Sequence, residues 1–451
     1  MVSPCFRGMC EMDNYARVAY YVGCLMHHTR WSHEQLVRHQ NKSLREVVRY
    51  AYDNVPFYHR KLRSLGIRPG DVKTREDLRR LPVVGRDELQ KNSGALISSR
   101  FDVSRLRAVS TSGSSGKPLF TYLTGRENDF RRAKLLRPHL VCGQRPRDRW
   151  VLIGPPHQQG NVNRLQKLLD FYVPMFVSVF DEPAQQIAKA EELKPDVLDG
   201  YSNSLLLIAR ELEKKGNSSI RPRFVMGGAE LIDGPSRSLV EKVFQAPFYD
   251  QYASEELQMI AWQCPGGVGY HVDADSLIVQ FVDKDGDEVA PEERGEIVCT
   301  SLFSRAMPFI RYALGDVGVP SEVERCRCGI VFPLMKIVEG RKDSIVVLPD
   351  GRTVPALVFG WMMEFYKYYR EVYQYRIVQN RKNNLRILIK RKDDAAADET
   401  TMRAELLKHM RKILKIGESE VDIDVEFVSD IPFDRGGKLR KVVSEINSFG
   451  N

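Results

Sequence analysis

The sequence predicts an α/β protein that has a large N-terminal domain and a small α+β domain at its C-terminus. Between residues 126 and 260, short apolar runs alternate with amphipathic stretches, and each run ends in a turn that contains glycine. This alternation is typical of a largely parallel sheet with connecting helices. Further on, Asp-Gly pairs at 285–286 and 350–351 separate strand-like runs, which indicates hairpins. A chain of 451 residues has room for both domains.

The N-terminal region is predicted to be helical over residues 33–68, because apolar side chains recur there at helical spacing as far as Asn54-Val55-Pro56. In the α/β region, a helix is expected over 203–215. The strand-like runs that precede glycine turns are 151–153, 197–198 and 223–226.

A β-rich subdomain is predicted at about residues 264–335, with strands over 277–282 and 295–299. The pattern changes again near residue 340. We therefore expect an N-terminal domain of residues 1–340 and a mobile C-terminal domain of residues 341–451. The small domain should contain strands over 373–390 and 421–428 and a helix over 400–415.

The composition and charge of the chain argue against nucleic acid as a partner and against a membrane span. The net charge is +9, but we find no basic run of the length expected for a nucleic-acid patch. No stretch of 18 apolar residues exists, so no membrane span is expected. Eight cysteines in so long a chain do not suggest a disulfide scaffold. The expected location is the cytoplasm, the expected partners are anionic small molecules, and a homodimer is an open alternative.

The richest motif is a loop of hydroxyl-bearing residues, glycines and one lysine. It follows the apolar pair Ala108-Val109 and precedes a strand-like run at 119–123. Glycines let several N–H groups converge, and hydroxyls and a lysine add donors and charge, which suits a polyphosphate. The spacing does not fit a Walker A loop, and a flexible linker is the alternative. The loop residues are Ser110, Thr111, Ser112, Gly113, Ser114, Ser115, Gly116 and Lys117.

This loop resembles the phosphate loop of the adenylate-forming (AMP-binding) ligases, and in particular their phenylacetate–CoA ligase-like, CapK-like branch. Other segments match that family in its own order and extend over nearly the whole chain. They are 51–58, 227–230, 252–256, 311–316, 340–343 and 432–440. The resemblance implies the fold of the adenylate-forming enzymes, with a large AMP-binding domain and a mobile C-terminal lid.

The resemblance also implies roles for the segment that starts at Tyr252 and for the one that ends at Glu230. Glu256 matches the position that binds Mg²⁺, and one carboxylate plus phosphates suffices for that ion. The alternative is that Glu255 and Glu256 are simply a solvent-exposed pair. Because the two are adjacent, either one could correspond to the family's Mg²⁺-binding position. The remaining nucleotide-binding positions implied here are Gly228, Ala229, Glu230, Tyr252, Ala253, Ser254 and Glu255.

Toward the C-terminus, the resemblance places Asp316 on the ribose hydroxyls, where a carboxylate can accept two O–H bonds. Arg341 falls where the family contacts ribose or phosphate, and Asp343 falls at the hinge. Lys438 corresponds to the catalytic lysine, which places positive charge where negative charge builds up on the α-phosphate. The alternatives are ordinary polar turns and a basic tail.

A second constellation has the residue types of a zinc site. Cys264 and His271 lie on one side of the β-rich subdomain, and Cys326 and Cys328 lie on the other. Three thiolates and one imidazole make a closed tetrahedral set, so the expected role is structural. Reduced, partly buried cysteines are the alternative.

The resemblance thus implies an AMP-forming acid–thiol ligase that uses ATP and Mg²⁺. A carboxylic acid would be joined to AMP with release of pyrophosphate, and the acyl group would then pass to coenzyme A. One alternative is an amine or hydroxyl acceptor, and another is a nucleotide-binding protein without activity. The identity of the acid cannot be read from the sequence.

Overall fold

The structure is a computed structural model. It describes residues 14–110, 119–155, 162, 166, 168, 170–216, 218–341, 344–354, 356–393, 395–433 and 438–446. No helix among these residues is long and apolar enough to cross a membrane.

The helices begin and end close to the predicted positions. The break that Pro56 imposes after Asn54 separates α2 from α3, as predicted. The described helices are α1 (Tyr15–His28), α2 (His33–Asn54), α3 (Pro56–Ser64), α4 (Arg86–Lys91), α5 (Gly125–Val141), α6 (Pro183–Leu193), α7 (Ser202–Lys215), α8 (Gly234–Phe244), α9 (Ala356–Glu364) and α10 (Glu399–Leu414).

The strands confirm the predicted α/β class, and β4 is one that the sequence analysis missed. The described strands are β1 (Arg107–Ser110), β2 (Phe120–Leu123), β3 (Trp150–Gly154), β4 (Pro174–Ser178), β5 (Val197–Tyr201), β6 (Phe224–Gly228), β7 (Phe248–Ser254), β8 (Gln258–Gln263), β9 (Tyr270–Val272), β10 (Leu277–Val282), β11 (Gly295–Ser301), β12 (Tyr312–Pro320), β13 (Leu334–Arg341), β14 (Val346–Val347), β15 (Thr353–Val354), β16 (Val372–Arg381), β17 (Asn384–Arg391), β18 (Asp422–Phe427) and β19 (Val442–Ser444).

The chain forms two compact units. The first contains the described residues of Met1–Gln144 and Gln251–Ile337. Its sheet has the order β10-β11-β12-β13-β9-β8-β7, and the neighbours β10/β11, β11/β12, β13/β9, β9/β8 and β8/β7 run antiparallel. The antiparallel strands β10 and β11 fall where the β-rich subdomain was predicted.

A buried ion cluster fixes the chain that follows β9 in this unit. Arg137 of α5 forms ion pairs with Asp273 and with Asp275, the latter at 2.7 Å, and Lys134 lies 3.2 Å from Asp273. All four side chains are fully buried. Burial would raise the pKa of Asp275, but Arg137 and a hydrogen bond from His28 outweigh it and hold the pKa at about 2. A buried charge needs such partners, so the backbone after His271 is held in one position.

The second unit contains the described residues of Arg145–Asp250 and Val338–Asn451. Strands β4, β3, β5 and β6 are neighbours in that order and are parallel, as predicted for this region. Leu205 and Ile208 of α7 and Val240 of α8 pack with residues of these strands in one apolar core. Ligands of parallel sheets bind beyond the carboxyl ends of the strands, which here carry Tyr201 and Gly228.

A four-stranded sheet in the same unit has the order β18-β17-β16-β19. Strands β16 and β17 are antiparallel, whereas β19 and β18 add at the edges in parallel. Its core includes Ile377 and Ile387 from the sheet and Leu406 and Met410 from α10. These elements match the α+β unit predicted at the C-terminus. The boundary predicted near residue 340 stays a prediction.

Candidate active site and metal centre

The predicted phosphate loop lies outside the described residues from Thr111 to Lys117, and at Ser110 only the backbone is described. The strands on either side of the loop are described. Strands β1 and β2 are antiparallel, with Ser110 opposite Phe120 and Arg107 opposite Leu123. The strands predicted before and after the loop are therefore present, and they pair with each other.

Glu256 lies just after β7 and its side chain is buried. Its Oε1 atom accepts hydrogen bonds from Arg86 Nη1 and from the Tyr312 hydroxyl, both at 3.1 Å. Burial and the negative charge of Glu256 both raise the pKa of Tyr312, so its hydroxyl stays protonated and donates. Because both bonds fall on Oε1, the second carboxylate oxygen is the one that could face a cation. A single carboxylate of this kind suits Mg²⁺, which keeps several waters.

Glu255 and Glu256 differ in their surroundings. The side chain of Glu255 is exposed, whereas the backbone of both residues is held by Arg131, whose Nη1 and Nη2 donate to the carbonyls of Glu256 and Glu255 at 3.0 and 2.6 Å. The Ser254 hydroxyl accepts the amide of Leu257 at 3.2 Å and closes the turn. These contacts orient Glu256 into the unit and Glu255 toward solvent.

Asp316 lies on β12, and its Oδ2 accepts a hydrogen bond from the Tyr252 hydroxyl at 2.7 Å. Asp316 is half-buried, and Gly315 before it has a φ of +79°, a conformation that suits glycine. The structure therefore brings together, in one unit, two of the positions that the sequence assigned to the nucleotide. Ala253, next to Tyr252, is exposed.

The segment Gly227-Gly228-Ala229-Glu230 leaves the end of β6 in a tight turn. A Cβ at Gly227 would lie 2.0 Å from Phe248 Cζ, so only glycine fits there. Ala229 is exposed and has a φ of +65°. Glu230 accepts the amide of Asn203 at 3.2 Å and the amide of Leu439. Burial raises the pKa of Glu230 to about 7 although these donors oppose it.

Lys438 is half-buried and is followed by Leu439, which is bound to Glu230. Its positive charge lowers the pKa of Glu230, against the larger effect of burial. At Arg341 only the backbone is described. The predicted hinge at Asp343, with Lys342, lies outside the described residues, as do residues 434–437.

The four predicted zinc ligands lie together in the first unit, and their ligand atoms are all within 4.8 Å of one another. Cys264 Sγ is 3.4 Å from His271 Nε2 and 3.5 Å from Cys326 Sγ, and Cys328 Sγ is 3.2 Å from His271 Nε2. A tetrahedron of ligands about 2.3 Å from zinc has edges of about 3.7 Å, so these separations fit that ion.

The surroundings of this quartet also suit a metal. Gly266 donates its amide to Cys264 Sγ at 3.3 Å, and a Cβ at Gly266 would lie 2.4 Å from Cys326 Sγ. Burial lowers the pKa of His271 to about 4, so its imidazole is neutral and able to ligate. Three ligands are buried and Cys328 is exposed, so an ion could enter from the Cys328 side.

Sequence reasoning missed the side chains that hold the candidate residues in place. Arg86 and Tyr312 contact Glu256, Arg131 contacts the backbone beside it, and Asn203 contacts Leu439. Arg311, part of a matched segment, instead donates to the carbonyls of Leu81 and Gly286 and ties loops together. These side chains are far in sequence from the residues that they contact, so the contacts become visible only in the folded structure.

Comparison with known proteins gives consistent matches along most of the chain, although no family model matches it. The chain is 26% identical over 361 residues to a phenylacetate-coenzyme A ligase of Pseudomonas putida, which covers 77% of this chain and 80% of that protein. It is 24% identical over 427 residues to a phenylacetate-coenzyme A ligase of Escherichia coli, covering 90% and 94%. It is 23% identical over 420 residues to the protein CapK of Staphylococcus aureus, covering 90% and 89%.

Solved structures show the same fold. The structure of a 2-hydroxyisobutyryl-CoA ligase in the postadenylation state, in complex with R3-HIB-AMP, matches with a TM-score of 0.75 at 18% identity, over 93% of this chain and 92% of that one. An anthranilate CoA ligase in complex with anthranoyl-AMP matches with a TM-score of 0.55 at 14% identity, over 81% and 73%.

Proposed function

The chain is related in sequence to the phenylacetate–CoA ligases and has the fold of the adenylate-forming CoA ligases, and from this we propose that it is an AMP-forming acid–CoA ligase. In the first step, a carboxylate oxygen attacks the α-phosphorus of ATP, and pyrophosphate leaves as the bond to the β-phosphate breaks. In the second step, the coenzyme A thiolate attacks the acyl carbon and AMP leaves. The phenylacetate-coenzyme A ligases of Pseudomonas putida and Escherichia coli match over 80% and 94% of their own length, which supports assigning both steps.

The observation that carries this proposal is a pair of crossed contacts between β12 and the end of β7. Tyr252 and Glu256 lie four residues apart, and so do Tyr312 and Asp316. Each tyrosine donates to the carboxylate of the other segment, Tyr252 to Asp316 and Tyr312 to Glu256. Two carboxylates with different tasks are thereby held in one unit. Asp316 would accept the ribose hydroxyls, and Glu256 would bind Mg²⁺ on the phosphates.

The other matched segments would bind the rest of the nucleotide and the reacting phosphate. The loop from Ser110 to Lys117 would bind the phosphates, Gly228 and Ala229 would lie against the adenine, and Arg341 would contact ribose or phosphate. Lys438 would stabilise charge on the α-phosphate during adenylation. A hinge at Asp343 would let residues 341–451 move between the two steps. The proposed location is the cytoplasm.

We propose zinc for the Cys264, His271, Cys326 and Cys328 quartet, because three thiols and an imidazole are its preferred ligands. All four positions around the ion would be filled by protein, so no open site would remain for a substrate. The ion would stabilise the fold and take no part in the transfer of the acyl group.

An acid panel tests the function. Purified protein is incubated with ATP, Mg²⁺ and one carboxylic acid at a time, drawn from aryl, hydroxy and straight-chain acids, with and without coenzyme A. We expect acid-dependent pyrophosphate release, and thioester by mass spectrometry only when coenzyme A is present. Pyrophosphate release that responds to amines or alcohols instead would favour the other acceptors. ATP binding without pyrophosphate release for any acid would contradict the ligase assignment.

A further inference from the structure

Leu439, the residue after Lys438, has both of its backbone polar groups bound by side chains from elsewhere in the second unit. Its amide donates to Glu230 Oε1, and its carbonyl accepts Asn203 Nδ2 at 3.0 Å. Glu230 also accepts the amide of Asn203 at 3.2 Å through Oε2, so the three residues form a closed ring of hydrogen bonds. Leu439 itself is buried.

Further contacts fix the chain on the other side of this ring. Lys441 Nζ lies 3.2 Å from Asp233 Oδ2, a buried carboxylate that also caps α8 by accepting the amide of Ser236 at 2.8 Å. Arg376 of β16 donates to the carbonyl of Arg440 at 3.0 Å. The segment 438–441 is therefore tied at three successive residues, and none of these ties involves the Lys438 side chain.

We propose that Glu230, together with Asn203, is a positioning residue for Lys438 and does not act as a contact to the adenine. This inference rests on the ligase function proposed above. Both oxygens of Glu230 are engaged by backbone amides, and those amides belong to the ends of two elements, α7 and the Lys438 segment. Holding the backbone of Leu439 fixes the direction in which the neighbouring Lys438 side chain leaves the chain. A displacement of about 1 Å at a catalytic group can cost roughly 100-fold in rate.

The hydrogen bond between Glu230 and the amide of Leu439 can also be broken readily. A carboxylate that accepts two amides makes strong bonds while it stays charged, but it makes no covalent or metal link. Movement of residues 341–451 away from adenylation would break the Leu439 contacts while leaving the Asn203 amide on Glu230. Glu230 would then act in the first step and have no part in the second.

The test compares Glu230→Ala and Glu230→Gln with Glu192→Gln, an exposed glutamate in the same unit. Glutamine keeps one acceptor oxygen but presents an NH₂ group to the second amide. Adenylation is followed by acid-dependent pyrophosphate release over a range of ATP concentrations. Transfer is followed with a chemically prepared acyl-adenylate and coenzyme A. Hydrogen exchange at residues 438–446 of the full chain is measured by mass spectrometry, and melting temperature reports folding.

We expect Glu230→Ala to lower kcat for adenylation by roughly 10- to 100-fold, with the KM for ATP changed less than about 3-fold. Glu230→Gln should fall between this variant and the wild type, transfer should be unaffected in both, and Glu192→Gln should match the wild type. Exchange at Leu439 should accelerate by about 10-fold or more in Glu230→Ala. A rise in the KM for ATP with unchanged kcat would overturn the inference in favour of an adenine contact.

The exchange measurement separates this inference from the function it rests on. If no acid supports pyrophosphate release in the wild type, the ligase proposal fails, yet exchange still reports whether Glu230 holds Leu439. Unchanged exchange in a folded Glu230→Ala variant would overturn the positioning role whatever the activity. Equal losses in adenylation and transfer would also overturn it, because they would indicate a general structural defect.

Discussion

The Tyr252 hydroxyl donates to Asp316 Oδ2 at 2.7 Å and so joins the end of β7 to β12 within one unit. Asp316 is half-buried. A tyrosine donor orients a carboxylate without neutralising its charge, so Asp316 keeps the character of a charged hydrogen-bond acceptor. This arrangement suits recognition of a ribose.

We expect Asp316→Asn to raise the KM for ATP by roughly 10- to 100-fold, since charged hydrogen bonds are worth about 1.5–3 kcal/mol each. Tyr252→Phe removes the hydroxyl that donates to Asp316 but keeps the carboxylate, so it should raise the KM by roughly 3- to 10-fold. Tyr20→Phe, at an exposed tyrosine, is the matched control. The measurement is initial-rate pyrophosphate release against ATP concentration. A Tyr252→Phe effect larger than that of Asp316→Asn would contradict the ribose assignment.

The two adjacent glutamates give a direct test of the magnesium position. Glu256→Gln should raise the Mg²⁺ concentration needed for half-maximal adenylation by roughly 10-fold, because a hard cation loses a charged oxygen ligand. Glu255→Gln, at the exposed neighbour, should leave the Mg²⁺ dependence unchanged. If instead Glu255→Gln changed the Mg²⁺ dependence and Glu256→Gln did not, Glu255 would be assigned as the Mg²⁺ ligand. Glu256 would then serve as the buried partner of Arg86, and its replacement would act mainly on thermal stability.

Lys438→Ala should remove most acid-dependent pyrophosphate release, a loss of roughly 100-fold, because it would delete the charge that we propose stabilises the reacting phosphate. ATP binding should persist, since Asp316 and the phosphate loop are untouched. The variant should also still transfer the acyl group from a supplied acyl-adenylate to coenzyme A. Lys408→Ala, at an exposed lysine of α10, should behave as the wild type. Equal loss of both half-reactions in a folded Lys438→Ala protein would refute the two-step use of the lysine.

Metal analysis of purified protein should give about one zinc per chain, because a Cys₃His set fills a tetrahedral zinc site. Cys326→Ser should lower both the zinc content and the melting temperature, since metal binding contributes folding free energy. Cys24→Ser is a control outside the quartet. Chelator treatment of the wild type should reproduce the loss. Full thermal stability in metal-free protein would exclude a structural role for zinc.

Glu230 should make adenylation sensitive to pH, since burial raises its pKa to about 7 and only the carboxylate accepts both amides. Lys438 is the charged group that opposes this shift, and the ion pair of Lys441 with Asp233 lies nearby on the same segment. The adenylation rate should fall as pH drops below about 7, and Glu230→Gln should flatten that limb of the profile. An unchanged profile in Glu230→Gln would contradict this assignment.

The effect of Glu230 on stability should have the opposite sign. Its pKa rises from the ordinary 4.5 to about 7, so the folded state binds this proton more tightly than the unfolded chain. That contribution to stability is fully present below about pH 4.5 and is lost as pH rises through about 7. The melting temperature of the wild type relative to Glu230→Gln should therefore decrease over this range. An increase would show that the amide donors outweigh burial.

Local patterns were enough to predict much of the fold. Helix α7 begins within one residue of its predicted start, and β10 matches its predicted bounds. These elements are long and regularly patterned, so periodicity alone identifies them. The strand β4 was missed because it begins at Pro174, which weakens a strand pattern.

Only those site residues that belong to a recognisable sequence motif could be predicted. The zinc quartet was found because Cys264, His271 and the Cys326–Cys328 pair carry a recognisable chemistry. Arg86 gave no such signal, since it is 170 residues from Glu256 and arginine is common on surfaces. Asn203 lies 236 residues from Leu439 and likewise has no local signature. Such partners are fixed by tertiary packing, which a pattern in one segment cannot report.

The contact between Cys264 and Cys326 has a topological consequence. The two sulfur atoms are 62 positions apart along the chain, so an ion bound by both would close a long loop in the unfolded ensemble as well as in the native state. By the relation for a covalent cross-link, closing a loop of this length removes chain entropy worth about 4 kcal/mol at room temperature. Unlike a disulfide, such a metal cross-link withstands a reducing environment. It is released on acidification, when the thiolates and the imidazole are protonated. Refolding of denatured chains should then depend on when the ion arrives, with early binding shortening the search for the partners of β9.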